Sequence, residues 1–100
     1  MPVLSSDDIH DRLREHAGWV FRSDALHKQF ELPSFVEVIK LVNEVAGLAE
    51  EVDHHPDITI NYRRVTFVLS THDQGGVTER DALLMEAIET VAASYLPDGC

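Results

Sequence analysis

The stretch from Ser34 to Glu51 constrains this chain more than any other. Ser34 and Glu37 stand at capping-box spacing, so each side chain can satisfy the other residue's backbone N–H at the start of a helix. Behind them Phe35, Val38, Ile39, Val42, Val45, Ala46 and Ala49 recur at helical spacing, with Glu37, Lys40, Glu44 and Glu51 on the opposite side. The spacing predicts a long amphipathic helix. Its apolar stripe needs a second layer to cover it. On either side the period changes to two. Leu26, Phe30 and Leu32 share one face of a strand, and Ile58, Ile60 and Tyr62 alternate, as do Val65, Phe67 and Leu69.

The remaining segments fit around this frame. Ser6 is expected to cap a first helix, with Asp7 and Asp8 at its positive end, Ile9 and Leu13 on one face and Gly18 closing it. Trp19-Val20-Phe21-Arg22 reads as a strand joined through a Ser23-Asp24 turn to the strand carrying Leu26. Asn61-Tyr62-Arg63-Arg64 suits a second hairpin connection. Gln74-Gly75-Gly76 breaks the chain before Thr78 caps a last helix, with Asp81 in its first turn and Leu84, Ile88, Val91 and Tyr95 along it. The expected order is α-β-β-α-β-β-α. This is an α+β fold, a four-stranded antiparallel sheet with three helices packed on one face. The chain shows no repeat, linker or low-complexity run, so residues 1–100 are expected to form a single domain.

Composition narrows the functional classes. The formal net charge is -10, from 18 acidic and 8 basic residues, which argues against nucleic acid or an anionic membrane surface as a partner. The one cysteine, Cys100, can form neither an internal disulfide nor a structural zinc site. There is no apolar run long enough to span a bilayer, and the first residues lack the basic and apolar regions of a signal peptide. A cytoplasmic location is therefore expected. A domain of 100 residues buries a modest core, so a partner subunit is a natural way to cover the rest.

Three histidines stand apart from the others. His54 and His55 sit where the long helix hands over to the third strand, and Pro56 holds the backbone extended there. His72 sits where the fourth strand ends. If these strands pair antiparallel across a short turn, the start of one lies beside the end of the other. His54-His55-Pro56 then meets Thr71-His72-Asp73. Glu50 lies one helical turn before His54 and is expected to reach it. Asp81 enters from the first turn of the last helix. A carboxylate beside an imidazole fixes its tautomer, and histidine's ordinary pKa of about 6.5 suits proton transfer near neutrality. Three readings are open on this pattern: polar residues at element ends, a metal site, or metal-free acid–base catalysis. Adjacent histidines on an extended backbone project in different directions, which disfavours their sharing one ion. His10, His16 and His27 are scattered singly and are read as surface residues.

The residues carry a resemblance. Glu50-Glu51-Val52-Asp53-His54-His55-Pro56, then Tyr62, then Ser70-Thr71-His72-Asp73, then Thr78-Glu79-Arg80-Asp81 resembles the signature of pterin-4a-carbinolamine dehydratases. The resemblance covers nearly the whole chain. It implies dehydration of a 4a-hydroxytetrahydropterin to the quinonoid dihydropterin, with no metal or organic cofactor. It implies His54 and His72 as acid–base residues, His55 as a catalytic residue that also binds substrate, and Pro56, Thr71, Asp73 and Gln74 as further substrate contacts. Glu50 and Asp81 would orient the imidazoles. Members of the family assemble as homodimers or homotetramers. Some act as dimerisation cofactors for a transcription factor, which leaves a protein-binding module of the same fold as the alternative function. Leu32-Pro33 departs from the more polar approach to the long helix that the family often shows. The tail Leu96-Pro97-Asp98-Gly99-Cys100 has no family counterpart and is expected to lack fixed structure.

Overall fold

The computed structural model describes residues 2–96. Helix α1 spans Ser6–Leu13, α2 Phe35–Val52 and α3 Glu79–Ala92; strands β1 to β4 span Val20–Arg22, Ala25–Glu31, Asp57–Asn61 and Arg64–Leu69. A 3-10 turn at His72–Gln74 precedes α3. The order is the one expected. Apart from Leu96, the tail lies outside the described residues, as does Cys100. Among the described residues no helix is long and apolar enough to cross a membrane.

All strand pairs are antiparallel, in the sheet order β1-β2-β4-β3. The β1–β2 hairpin turns on Ser23 and Asp24, both at positive φ (51° and 60°). That combination matches the right-handed twist of the strands it joins, and a short polar residue such as Asp tolerates it. The β3–β4 hairpin turns on Tyr62 and Arg63, since Asn61 pairs with Arg64. Tyr62 therefore belongs to the turn and is largely exposed, rather than continuing the alternation of β3.

One face of the sheet carries Leu26, Phe30, Val65, Phe67 and Leu69, all buried. Phe30 meets Trp19 and Phe67 edge-on, with ring centroids 6.4 and 5.9 Å apart. Ile9 of α1, Val38, Leu41 and Val45 of α2, and Leu84, Met85 and Ile88 of α3 join the same cluster. All three helices therefore lie on that face.

Local details depart from expectation. The α1 cap is Ser5, whose hydroxyl accepts the Asp8 N–H at 3.1 Å, and α1 ends at Leu13, well before Gly18. Gly18 instead marks a turn at φ +91°, where an added Cβ would lie 2.9 Å from Lys28 Cε. Lys28 passes this gap to bond the Ala17 carbonyl and Glu89, which holds α3 against β2. Ser34 caps α2 as expected, accepting the Glu37 N–H at 3.2 Å, and Pro33 stays outside the helix. The buried stripe of α2 is Val38, Leu41, Val45 and Ala49, whereas Phe35 and Ala46 are exposed and Ile39 and Val42 half-buried. Each residue turns the helix by about 100°. The stripe facing the sheet and α3 is thus narrower than the apolar residues of α2 suggest, and it centres on Leu41 and Val45.

Candidate active site

The site begins with the way α2 ends. Asp53 takes the left-handed conformation (φ 52°, ψ 46°), and the His54 N–H reaches back to the Ala49 carbonyl at 3.1 Å. This is a common device for stopping a helix. It also reverses the direction in which the next side chains leave the backbone. His54 turns inward and is buried, while His55 stays exposed and Pro56 half-buried. Pro56 then leads into β3, whose first residue Asp57 pairs with Val68.

The far end of β4 supplies the other half. After Leu69 the chain closes a tight loop: the Thr71 N–H bonds the Gly76 carbonyl at 2.8 Å, and Gly75, at φ +78°, returns its N–H to Thr71. His72, Asp73 and Gln74 project from this loop and are exposed, whereas Thr71 is buried. The loop delivers the chain to Thr78 and the N-terminus of α3.

Asp81 lies beneath the loop, fully buried. Its Oδ1 is 2.5 Å from His54 Nε2. Its Oδ2 accepts the Thr71 hydroxyl at 2.8 Å and the Thr78 backbone N–H at 2.9 Å. The Thr71 hydroxyl has a single hydrogen, which it gives to Asp81, so the Thr78 hydroxyl 2.9 Å away must donate to Thr71. With both carboxylate oxygens accepting, His54 Nε2 carries the hydrogen, and in the neutral ring the lone pair is then on Nδ1.

Glu50 does not reach His54 as the helical spacing suggested. It bonds His55 Nε2, and both side chains are exposed. The left-handed turn at Asp53 explains the exchange, because an uninterrupted helix would have kept residues 50 and 54 on one face.

These residues surround one open cleft of about 350 Å³. Asp53, His54 and His55 line one side, Ser70, Thr71, His72 and Asp73 the other, and Arg80 the end nearest α3. The structure therefore gathers the three singled-out histidines with Thr71 and Asp73, and sets Asp81 directly beneath. Pro56 and Gln74 do not line the cleft. The sequence reading missed Asp53, Ser70 and Arg80. Ser70 ties the end of β4 to the β1–β2 turn, its hydroxyl donating to the Asp24 carbonyl at 3.0 Å. Among the described residues no three His, Cys, Asp or Glu side chains converge as a metal-ligand set.

An α+β layer with histidines and a buried carboxylate gathered at the junction of helix and sheet makes a candidate acid–base site. The sequence model of the pterin 4 alpha carbinolamine dehydratase family matches residues 2–91, and the chain belongs to that family. A protein of Mycobacteroides abscessus, provisionally named a pterin-4-alpha-carbinolamine dehydratase, is 44% identical over 90 residues, covering 90% of this chain and 96% of its own. One of Thermomicrobium roseum with the same provisional name is 44% identical over 93 residues, covering 93% of this chain and all of its own. The fold is similar to the crystal structure of a transcriptional coactivator/pterin dehydratase from Brucella melitensis, with TM-score 0.85 and 30% identity over 90% of this chain and 98% of that one. A pterin dehydratase-like protein described as a RuBisCO assembly factor in the alpha-carboxysome shares the fold, at TM-score 0.64 and 21% identity over 77% of this chain and 92% of that one.

Proposed function

We propose that this protein dehydrates a 4a-hydroxytetrahydropterin, in tetrahydrobiopterin recycling, to the quinonoid dihydropterin and water by histidine acid–base catalysis. No metal or organic cofactor takes part. The observation that carries the reading is the buried His54–Asp81 pair opening onto the same cleft as His55 and His72, in a chain of this family. Cleavage of the C4a–O bond needs a proton on the departing hydroxyl, and formation of the double bond releases a ring N–H proton. Two imidazoles in opposite protonation states meet both needs. His54, with Nε2–H held by Asp81, offers a free Nδ1 lone pair and serves as the base. The exposed His72 across the cleft serves as the acid. His55, held by Glu50, takes part in catalysis and binds the ring, and Thr71, Asp73, Pro56 and Gln74 belong to the segments that flank it. A cleft of this size lies within the usual range for small-molecule sites, and holding a flat ring between two loops supplies orientation.

We place the protein in the cytoplasm as a homodimer or homotetramer. Exposed Phe35 and Val36 on α2 and Leu83 on α3 support association with a further copy. The alternative is a protein-binding module, a dimerisation cofactor or transcriptional coactivator, and the name of the Brucella melitensis neighbour favours keeping it in view.

Stopped-flow absorbance of freshly generated 4a-hydroxytetrahydropterin, with and without the protein and in the presence of chelator, tests the proposal. Accelerated decay that survives the chelator supports it. Well-folded protein that leaves the decay unchanged rejects it in favour of the binding module.

A further inference from the structure

We infer that Arg80 is a positioning residue for the histidine pair, holding the peptide that aims His54 and His55. The inference rests on the proposed reading of the site. The last carbonyls of a helix have no partner within the helix and need donors from elsewhere. At the end of α2 the Ala49 and Glu50 carbonyls receive the N–H groups of His54 and Asp53. Further along, the Val52 and Asp53 carbonyls receive Arg80 Nη2 at 3.3 and 2.7 Å. A cation is also the favourable charge at that end of a helix.

The Asp53 carbonyl belongs to the peptide unit that continues into the His54 nitrogen. Its orientation sets where His54 points and, one residue on, where His55 points. Asp53 holds this orientation in the left-handed region, which is uncommon for a residue with a side chain though Asp tolerates it, and the Arg80 contact to its carbonyl helps to fix it there. Consecutive residues of α3 thus grip His54 twice: Arg80 through the backbone ahead of it and Asp81 through its ring. The Arg80 side chain also lines the cleft.

The experiment compares Arg80→Met and Arg80→Lys with the wild type in steady-state dehydration, in thermal midpoint, and by NMR of the His54 amide exchange and imidazole resonances. Arg80→Met is expected to lower kcat by about 10- to 100-fold, as sub-ångström to ångström misplacement of a catalytic group does. KM should rise by less than kcat falls, His54 amide exchange should speed up, and Arg80→Lys should recover part of the loss in kcat and in exchange protection. If Arg80→Met does not fold, Arg80→Gln takes its place in each comparison. Unchanged kcat with unchanged His54 exchange would overturn the inference. So would a rise in KM alone, which would make Arg80 a substrate contact. If the wild type itself lacks dehydratase activity, the functional reading fails while this inference is still judged by the NMR comparison. Identical His54 signals in wild type and Arg80→Met would then reject it.

Discussion

His54 and Asp81 lie 27 residues apart in sequence and 2.5 Å apart in space, Nε2 to Oδ1. The carboxylate is fully buried and accepts on both oxygens, so the pair comes with its partners already in place. A neutral imidazole held in this way has its tautomer fixed, with Nε2 as the donor. Buried polar groups that are fully satisfied make rigid local structure, and their loss is costly because each partner is left unpaired.

Asp81→Asn keeps the shape of that side chain while replacing one acceptor oxygen by a donor. The amide cannot accept from Thr71, Thr78 and His54 together. We expect dehydration to fall by about 10² to 10⁴, the range for a lost acid–base group. Stability should fall by about 2 kcal/mol, the scale of a hydrogen bond to a charged group. Paired measurement of turnover and chemical denaturation checks this, and full activity in Asp81→Asn would remove the His54–Asp81 pair from the mechanism.

His54 and His72 should separate stability from chemistry. Both alanine variants are expected to lose activity by about 10² to 10⁴. His54 is buried and hydrogen-bonded, so His54→Ala should also destabilise the fold. His72 is exposed, so His72→Ala should leave stability within about 0.5 kcal/mol of wild type. Denaturant midpoints measured beside the rates would show whether this division holds.

The Glu50 side chain bonds His55 rather than His54. Glu50→Gln removes an exposed charge partner, so stability should hardly change. On the proposed reading it should raise KM more than it lowers kcat. A fall in kcat as large as that of His54→Ala would mean that Glu50 serves the chemistry directly.

The corrected face of α2 has a simple check. Leu41→Ala should cost about 2 to 5 kcal/mol because Leu41 is fully buried. Ala46→Ser, on the exposed side, should stay within about 0.5 kcal/mol of wild type. Equal effects in urea denaturation would contradict the observed stripe.

Tyr95 gives a pH-dependent signal far from the cleft. Its hydroxyl donates to Glu44 at 2.6 Å, and this hydrogen bond raises the phenol above its ordinary value of 10.0. The folded state therefore holds the proton more tightly than the unfolded chain does. The stabilisation is complete below the unfolded pKa of about 10 and is lost as pH rises through the higher folded value. Tyrosinate absorbance should show one late-titrating group that moves to lower pH in Glu44→Gln and disappears in Tyr95→Phe.

Much of this architecture is legible in local spacing. The capping serine at position 34, the period of two in β2 and β4 and the short hairpin turns determine the element order, because each depends only on neighbours along the chain. The meeting of His54-His55 with His72 follows as well, since an antiparallel hairpin returns its end beside its start. What tertiary structure decided is which group faces which. The exchange of carboxylates, Glu50 with His55 and Asp81 with His54, turns on the left-handed conformation of Asp53 and on the docking of α3 beside it. The contact of Arg80 with the end of α2 and the exposure of Phe35 and Ala46 arise the same way. Side-chain direction depends on backbone dihedrals and on packing between elements distant in the chain, and neither is carried by the spacing of residues within one element.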